Sequence, residues 1–185
     1  MDSPGSTTAL APEPVARPRE AREGAAGVVA ALTAYAYLWR CRRVGARART
    51  LGRPLLSNPA NVELGADVLL DSRAGPIALV CHRRGRLVVG DGARVGPATR
   101  LEAVRYVEIG DRTRIGAGCV VSDAGADGAA DAEIWIGDDV TLGDGVRVLP
   151  GTVIGAGAVV EAGSVVRGRI PPGAIVAGDP TPSGD

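Results

Sequence analysis

Residues 136–168 read IGDDVTLGDGVRVLPGTVIGAGAVVEAGSVVRG. An aliphatic returns at every sixth position: Ile136, Leu142, Val148, Ile154, Val160 and Val166. A small residue usually follows, as at Gly137, Gly143 and Gly155. An α-helix would repeat every 3.6 residues and an ordinary strand every two. A period of six fits a coil of short flat strands, each aliphatic pointing into a narrow prism and stacking on its counterpart one turn away. Gly at the corners is expected to supply unusual backbone angles.

The same period runs earlier in the chain. One run is Val89-Gly90-Asp91, Val95-Gly96-Pro97 and Leu101-Glu102-Ala103; another is Ile109-Gly110-Asp111, Ile115-Gly116-Ala117 and Val121-Ser122-Asp123. The fifth hexad position is small or β-branched at Ala93, Thr99, Thr113, Cys119, Val140, Val146, Thr152, Ala158 and Ser164, which predicts interior positions. Composition agrees with a narrow prism. The chain has 185 residues, no Phe, 3% aromatics and 45% hydrophobic residues, so its core must be built from small aliphatics.

Several chemistries are excluded. All 21 basic residues are Arg, so there is neither a Schiff-base lysine nor a P-loop phosphate clamp. The single His, His82, cannot build a three-His metal site within one chain. The three Cys, at 41, 81 and 119, form no CxxC pair and suit a reducing compartment. The 21 acids balance the 21 Arg, but unevenly. Residues 1–100 carry 15 Arg and 8 acids; residues 101–185 carry 6 Arg and 13 acids.

Residues 1–23, rich in Pro with mixed charge, read as a disordered tail and not as a secretory signal. Residues 24–39 carry no charge, and Val28, Leu32, Tyr35 and Trp39 recur at helical spacing. The expected element is an N-terminal helix within 24–50, ending in an Arg-rich segment. Two readings stand: a helix packed on the domain or a partner subunit, or peripheral membrane contact through residues 24–53. The run is shorter than the roughly 20 residues that span a bilayer. The coil is expected over 51–180, with a short tail at 181–185.

The segments 86–125 and 136–180 resemble bacterial hexapeptide-repeat acyltransferases, and GRPLLSNPANVELGADVLL at 52–70 resembles the lead-in of polysaccharide O-acetyltransferases. The resemblance implies an all-β left-handed parallel β-helix and a cytoplasmic homotrimer. It also implies acetyl-CoA as acyl donor, no metal, and no nucleic acid partner. The implied acceptor is a sugar or lipid-linked sugar, in polysaccharide biosynthesis. Cofactor contacts are expected from Gly143, Gly155, Ala156, Ala162 and Arg167. In the family, a His on a protruding loop acts as general base.

Here the hexads break at 122–133, SDAGADGAADAE, where the family's loop would lie. That loop has no His; alignment puts the family's Asp on Asp123 and its His on Asp127. Three readings follow. Asp127 or Asp123 acts as a carboxylate base; His82 serves from elsewhere in the trimer; or catalysis is lost and the trimer binds or scaffolds. The acids Asp123, Asp127, Asp131 and Glu133 could gather a cation, but their spacing lacks an ordered ligand pattern, and no metal is expected.

Overall fold

The computed structural model describes residues 37–125 and 132–177. The chain winds through successive three-sided turns. The first comprises β1 (Arg43–Val44), β2 (Arg49–Leu51) and β3 (Leu55–Ser57); the second, β4 (Val62–Leu64), β5 (Leu69–Asp71) and β6 (Ala78–Cys81). The third comprises β7 (Arg86–Val89), β8 (Arg94–Val95) and β9 (Arg100–Ala103); the fourth, β10 (Tyr106–Ile109), β11 (Arg114–Ile115) and β12 (Val120–Ser122). The fifth holds β13 (Ile134–Ile136), β14 (Thr141–Leu142) and β15 (Arg147–Val148). The sixth holds β16 (Val153–Ile154), β17 (Val159–Val160) and β18 (Val165–Val166); β19 (Arg169–Ile170) and β20 (Ile175–Val176) begin another.

Every third strand pairs in parallel, giving two seven-stranded sheets and one of six. The first sheet begins at β1, the second at β2 and the third at β3. One interior column runs Leu64, Val89, Ile109, Ile136, Ile154, Ile170; a second runs Leu70, Val95, Ile115, Leu142, Val160. The nine fifth-position residues named from sequence are all buried. Thr99 and Thr113 satisfy their hydroxyls on the carbonyls of Gly116 and Gly137, each at 2.9 Å. Small side chains there let successive turns stack without a cavity.

The role expected of glycine divides in two. Gly92, Gly118, Gly145, Gly157 and Gly163 do hold positive φ at corners. The Gly that follows each first-sheet aliphatic is needed for close approach instead. An added Cβ on Gly110 would lie 2.5 Å from Asp138 Oδ1 and 2.5 Å from the Gly137 carbonyl carbon. The Asp side chains in question form a ladder. Asp111 Oδ1 accepts the Asp91 N–H at 2.7 Å, and Asp138 Oδ1 accepts the Asp111 N–H at 2.9 Å. The recurrent Gly-Asp pair is thus a single device: Asp reaches one turn back, and Gly leaves room for it. Gly110→Ala is expected to cost about 2–3 kcal/mol, because backbone as well as side chain must move. Urea unfolding of that variant against Gly118→Ala, whose Cβ would meet nothing within 4 Å, separates crowding from backbone strain.

The first turn begins inside the segment assigned from sequence to the N-terminal helix and its Arg run. Arg43–Val44 and Arg49–Leu51 are strands, paired to β4 and β5. Extended pairing wins there because the edge of the coil offers hydrogen-bond partners that a free helix lacks. Leu38, 1% exposed, closes the apolar column at that end. Tyr37 and Leu38 are helical, and residues 24–36 of the expected helix and the 1–23 tail lie outside the described residues. Among the described residues no helix is long and apolar enough to cross a membrane.

Candidate active site

The outer face of the third sheet holds a hydrogen-bonded cluster of polar side chains beside two hollows. Its inward residues Leu79, Leu101, Val121, Val148 and Val166 anchor it to the core. Strand alternation then turns Val80, Glu102 and Ser122 outward in one row, paired in register across β6, β9 and β12. His82 follows β6 at the corner, and its Nε2 lies 3.0 Å from Glu102 Oε1. Glu102 Oε2 accepts from Arg100 Nε and from Ser122 Oγ, each at 3.2 Å. The His82 side chain is 50% exposed and that of Glu102 only 14%.

Burial pushes the Glu102 carboxyl up, but hydrogen bonds from Arg100, His82 and Ser122 and the charge of Arg100 outweigh it and hold it below its ordinary value. At neutral pH it is a carboxylate and can only accept. In the neutral form of His82, Nε2 therefore carries the proton toward Glu102 and Nδ1 holds the lone pair.

Two hollows border the His82–Glu102 pair, one on each partner. A groove of about 560 Å³ is lined by Glu102, Ser122, Ala124, Ala132, Arg147 and Arg167, among others. A second hollow, of about 610 Å³, is lined by His82, Arg84, Val104, Arg105 and Glu133. Both ends of the 122–133 interruption line the groove, through Ser122, Ala124 and Ala132, and its last residue, Glu133, lines the second hollow. The two ends are pinned together where Ala132 N donates to the Asp123 carbonyl at 3.2 Å.

Asp123 is wholly buried, in the column that holds Ala103 one turn earlier and Cys81 two turns earlier. Its Oδ1 accepts the Val104 N–H at 2.6 Å. Its Oδ2 accepts those of Arg105 at 2.7 Å and Tyr106 at 2.8 Å. Both oxygens therefore serve the corner between β9 and β10. Asp127 lies outside the described residues. Among the described residues, no three His, Cys, Asp or Glu side chains gather as a cation site.

The residues named for cofactor contact sit on different corners. An added Cβ on Gly143 would lie 2.5 Å from Ala162 N, so these two stack where the second sheet turns to the third. Gly155 and Ala156 lie where the first sheet turns to the second, above Gly137. Arg167 is on the third sheet, one residue past β18, in the groove with Arg147. Only Arg167 joins the His82–Glu102 region. Glu102, Ser122 and Arg147 do not stand out in the sequence. The separation of His82 from Glu102, about the length of one turn, is the signal that could have found the pair.

Residues 133–168 match the family described as bacterial transferase hexapeptide (six repeats), and residues 106–127 match the hexapeptide repeat of succinyl-transferase. The coil is built of hexapeptide repeats. No curated protein matches the chain in sequence. Solved structures do match it in shape. A variant of AntD, an N-acyltransferase from Bacillus cereus in complex with dTDP and coenzyme A, shares 21% identity at a TM-score of 0.69, over 76% of this chain and 81% of that one. AntD with dTDP and 3-hydroxybutyryl-CoA aligns at 18% identity and a TM-score of 0.65, over 75% and 79%. A hexapeptide-repeat acetyltransferase from Vibrio cholerae aligns at 21% identity and a TM-score of 0.54, over 86% and 85%. These likenesses establish the solenoid fold that the hexads imply.

Proposed function

We propose that the protein is an acyl-CoA-dependent acyltransferase that moves an acetyl group to a hydroxyl or amine of a sugar or lipid-linked sugar. The observation that carries this reading is the His82–Glu102 pair, 3.0 Å apart, beside a groove lined by Arg147 and Arg167 among others. Both matched repeat families are transferase families. AntD, a structural neighbour, is an N-acyltransferase seen with dTDP and coenzyme A, which supports a sugar acceptor and an acyl-CoA donor.

Acyl-CoA, when bound, supplies an activated thioester carbonyl and a thiol leaving group. His82 Nδ1 takes the proton from the acceptor hydroxyl or amine as that atom bonds to the acyl carbon, and returns it to the departing sulfur. Glu102 holds the ring and its tautomer and stabilises the imidazolium formed. Arg147 and Arg167 suit the cofactor phosphates, since guanidinium forks match phosphoryl oxygens. Gly143 with Ala162, and Gly155 with Ala156, present side-chain-poor corners along which a pantetheine arm can lie.

In this reading the coil is left-handed, and three copies associate with the site between subunits. It works in the cytoplasm on polysaccharide precursors. The basic segment 24–53 brings the trimer to the inner membrane face, supported by exposed Trp39 beside Arg40, Arg42 and Arg43. The alternative is a trimer that binds or scaffolds without turnover. It rests on the loop that lacks His and on the commitment of Asp123 to the β9–β10 corner. Calorimetric titration with acetyl-CoA decides between them: saturable binding in the micromolar to low-millimolar range is expected, and its absence at millimolar acetyl-CoA overturns the enzyme reading.

A further inference from the structure

The second sheet carries a charge arrangement that acyl transfer does not use. In the third turn each strand opens with an outward Arg: Arg86 on β7, Arg94 on β8 and Arg100 on β9. On the first sheet, Arg86 reaches Glu63 at 2.9 Å. On the third, Arg100 reaches Glu102 at 3.1 Å. On the second sheet the register sets Arg94 directly beside Arg114 of β11, with Thr141 of β14 next in the row. Adjacent strands lie about 4.8 Å apart, so two cations share one face. No carboxylate among the described residues pairs with either of them.

The acid that lines the same hollow is already engaged. Asp139 takes a two-pronged bond from Arg112, at 2.8 and 2.7 Å. Arg94, Arg112, Arg114, Asp139, Thr141 and Gly92 line a hollow of about 310 Å³. With Arg112 and Asp139 neutralising each other, two positive charges and the Thr141 hydroxyl face that hollow. Like charges directly opposite on a sheet repel. A tetrahedral dianion between them removes the repulsion and takes paired N–H donors from both guanidiniums. Gly92 has no side chain to fill the space.

We infer that Arg94, Arg114 and Thr141 form a phosphate-binding site on the second sheet, separate from the groove beside Glu102. Its ligand is a phosphoryl dianion, free or carried on a monoester. The inference stands whether or not the transfer reaction does.

The full chain is titrated by calorimetry at low ionic strength with inorganic phosphate and, separately, with AMP. Saturable binding is expected, weakening as salt rises. Arg94→Gln/Arg114→Gln should raise the dissociation constant about tenfold or more, because both charge-assisted forks are lost. Arg43→Gln/Arg53→Gln removes the same charge from the first turn and should change it less than about twofold. Arg94→Lys/Arg114→Lys keeps the charge without the fork and should fall between them. If the Gln pair perturbs folding, the Lys pair and Arg94→Gln alone carry the comparison, with the unfolding midpoint as the control. Tighter AMP binding assigns a monoester; equal or weaker AMP binding assigns the free oxyanion. Absence of saturable binding of either ligand overturns the site, and so does an equal loss in the Arg43/Arg53 pair.

Discussion

Asp123→Ala is expected to lower the unfolding free energy by about 3–5 kcal/mol, the largest stability loss among single polar substitutions in this coil. The side chain is wholly buried and accepts three main-chain N–H bonds, from Val104, Arg105 and Tyr106. Alanine leaves three part-buried main-chain donors without the acceptor they share, and an unmet donor shielded from water costs more than the net worth of a typical bond. Asp123→Asn keeps one acceptor oxygen but sets an NH₂ against main-chain N–H groups, so a loss of about 2–3 kcal/mol is expected. Urea unfolding followed by circular dichroism reads both. A loss below about 1 kcal/mol for alanine would mean that the corner finds other partners. A carboxylate base in turnover must reach the acceptor, and this one is spent on the fold.

His82→Ala is expected to lower kcat about 10²–10⁴-fold, with KM for acetyl-CoA changed less than about threefold. The base acts on the proton that moves in the transition state, so its loss falls on kcat. Glu102→Gln should also lower kcat with little change in KM, since a carboxamide neither fixes the Nε2–H tautomer nor stabilises the imidazolium. Its pH–rate profile should shift as well, a change that a purely structural role for Glu102 would not cause. Steady-state kinetics with a sugar acceptor test this. If turnover is present and unaffected in both variants while Asp127→Ala abolishes it, the base lies in the loop and His82 has no catalytic part.

The contrast between these two acids shows where sequence reading stops. Asp123 and Glu102 both follow an aliphatic of the third sheet, at offsets of two and one. The odd-even rule turns one inward and the other outward. In the hexads alone Asp123 stands out because it is the first acid in the break of the repeat. Its real distinction is its column, where Cys81 and Ala103 are equally hidden. Glu102 sits inside a regular hexad and looks ordinary there. Its partners His82 and Ser122 come from the turns on either side, and only stacking brings the three together.

The glycines give a second case. Their recurrence is legible, and so is the corner they mark. That some of them serve the Asp ladder depends on a contact between turns separated by 20 or more residues, as with Asp91 and Asp111.

What the amino-acid order determined by itself was the period: six residues, an aliphatic at the opening, usually a small or β-branched residue at the fifth place, and a break at 122–133. A period is a local property, and each hexad carries it independently of its neighbours. That is why the three-sided coil and its buried columns follow from the amino-acid order alone. What only the tertiary structure decided was which outward side chains share a face. Those contacts depend on the number of residues per turn, which the insertions at each corner vary, and on the side to which each strand turns its polar residues. His82 meets Glu102, Arg94 meets Arg114, and the glycines expected from sequence to contact a cofactor fall on separate corners for that one reason.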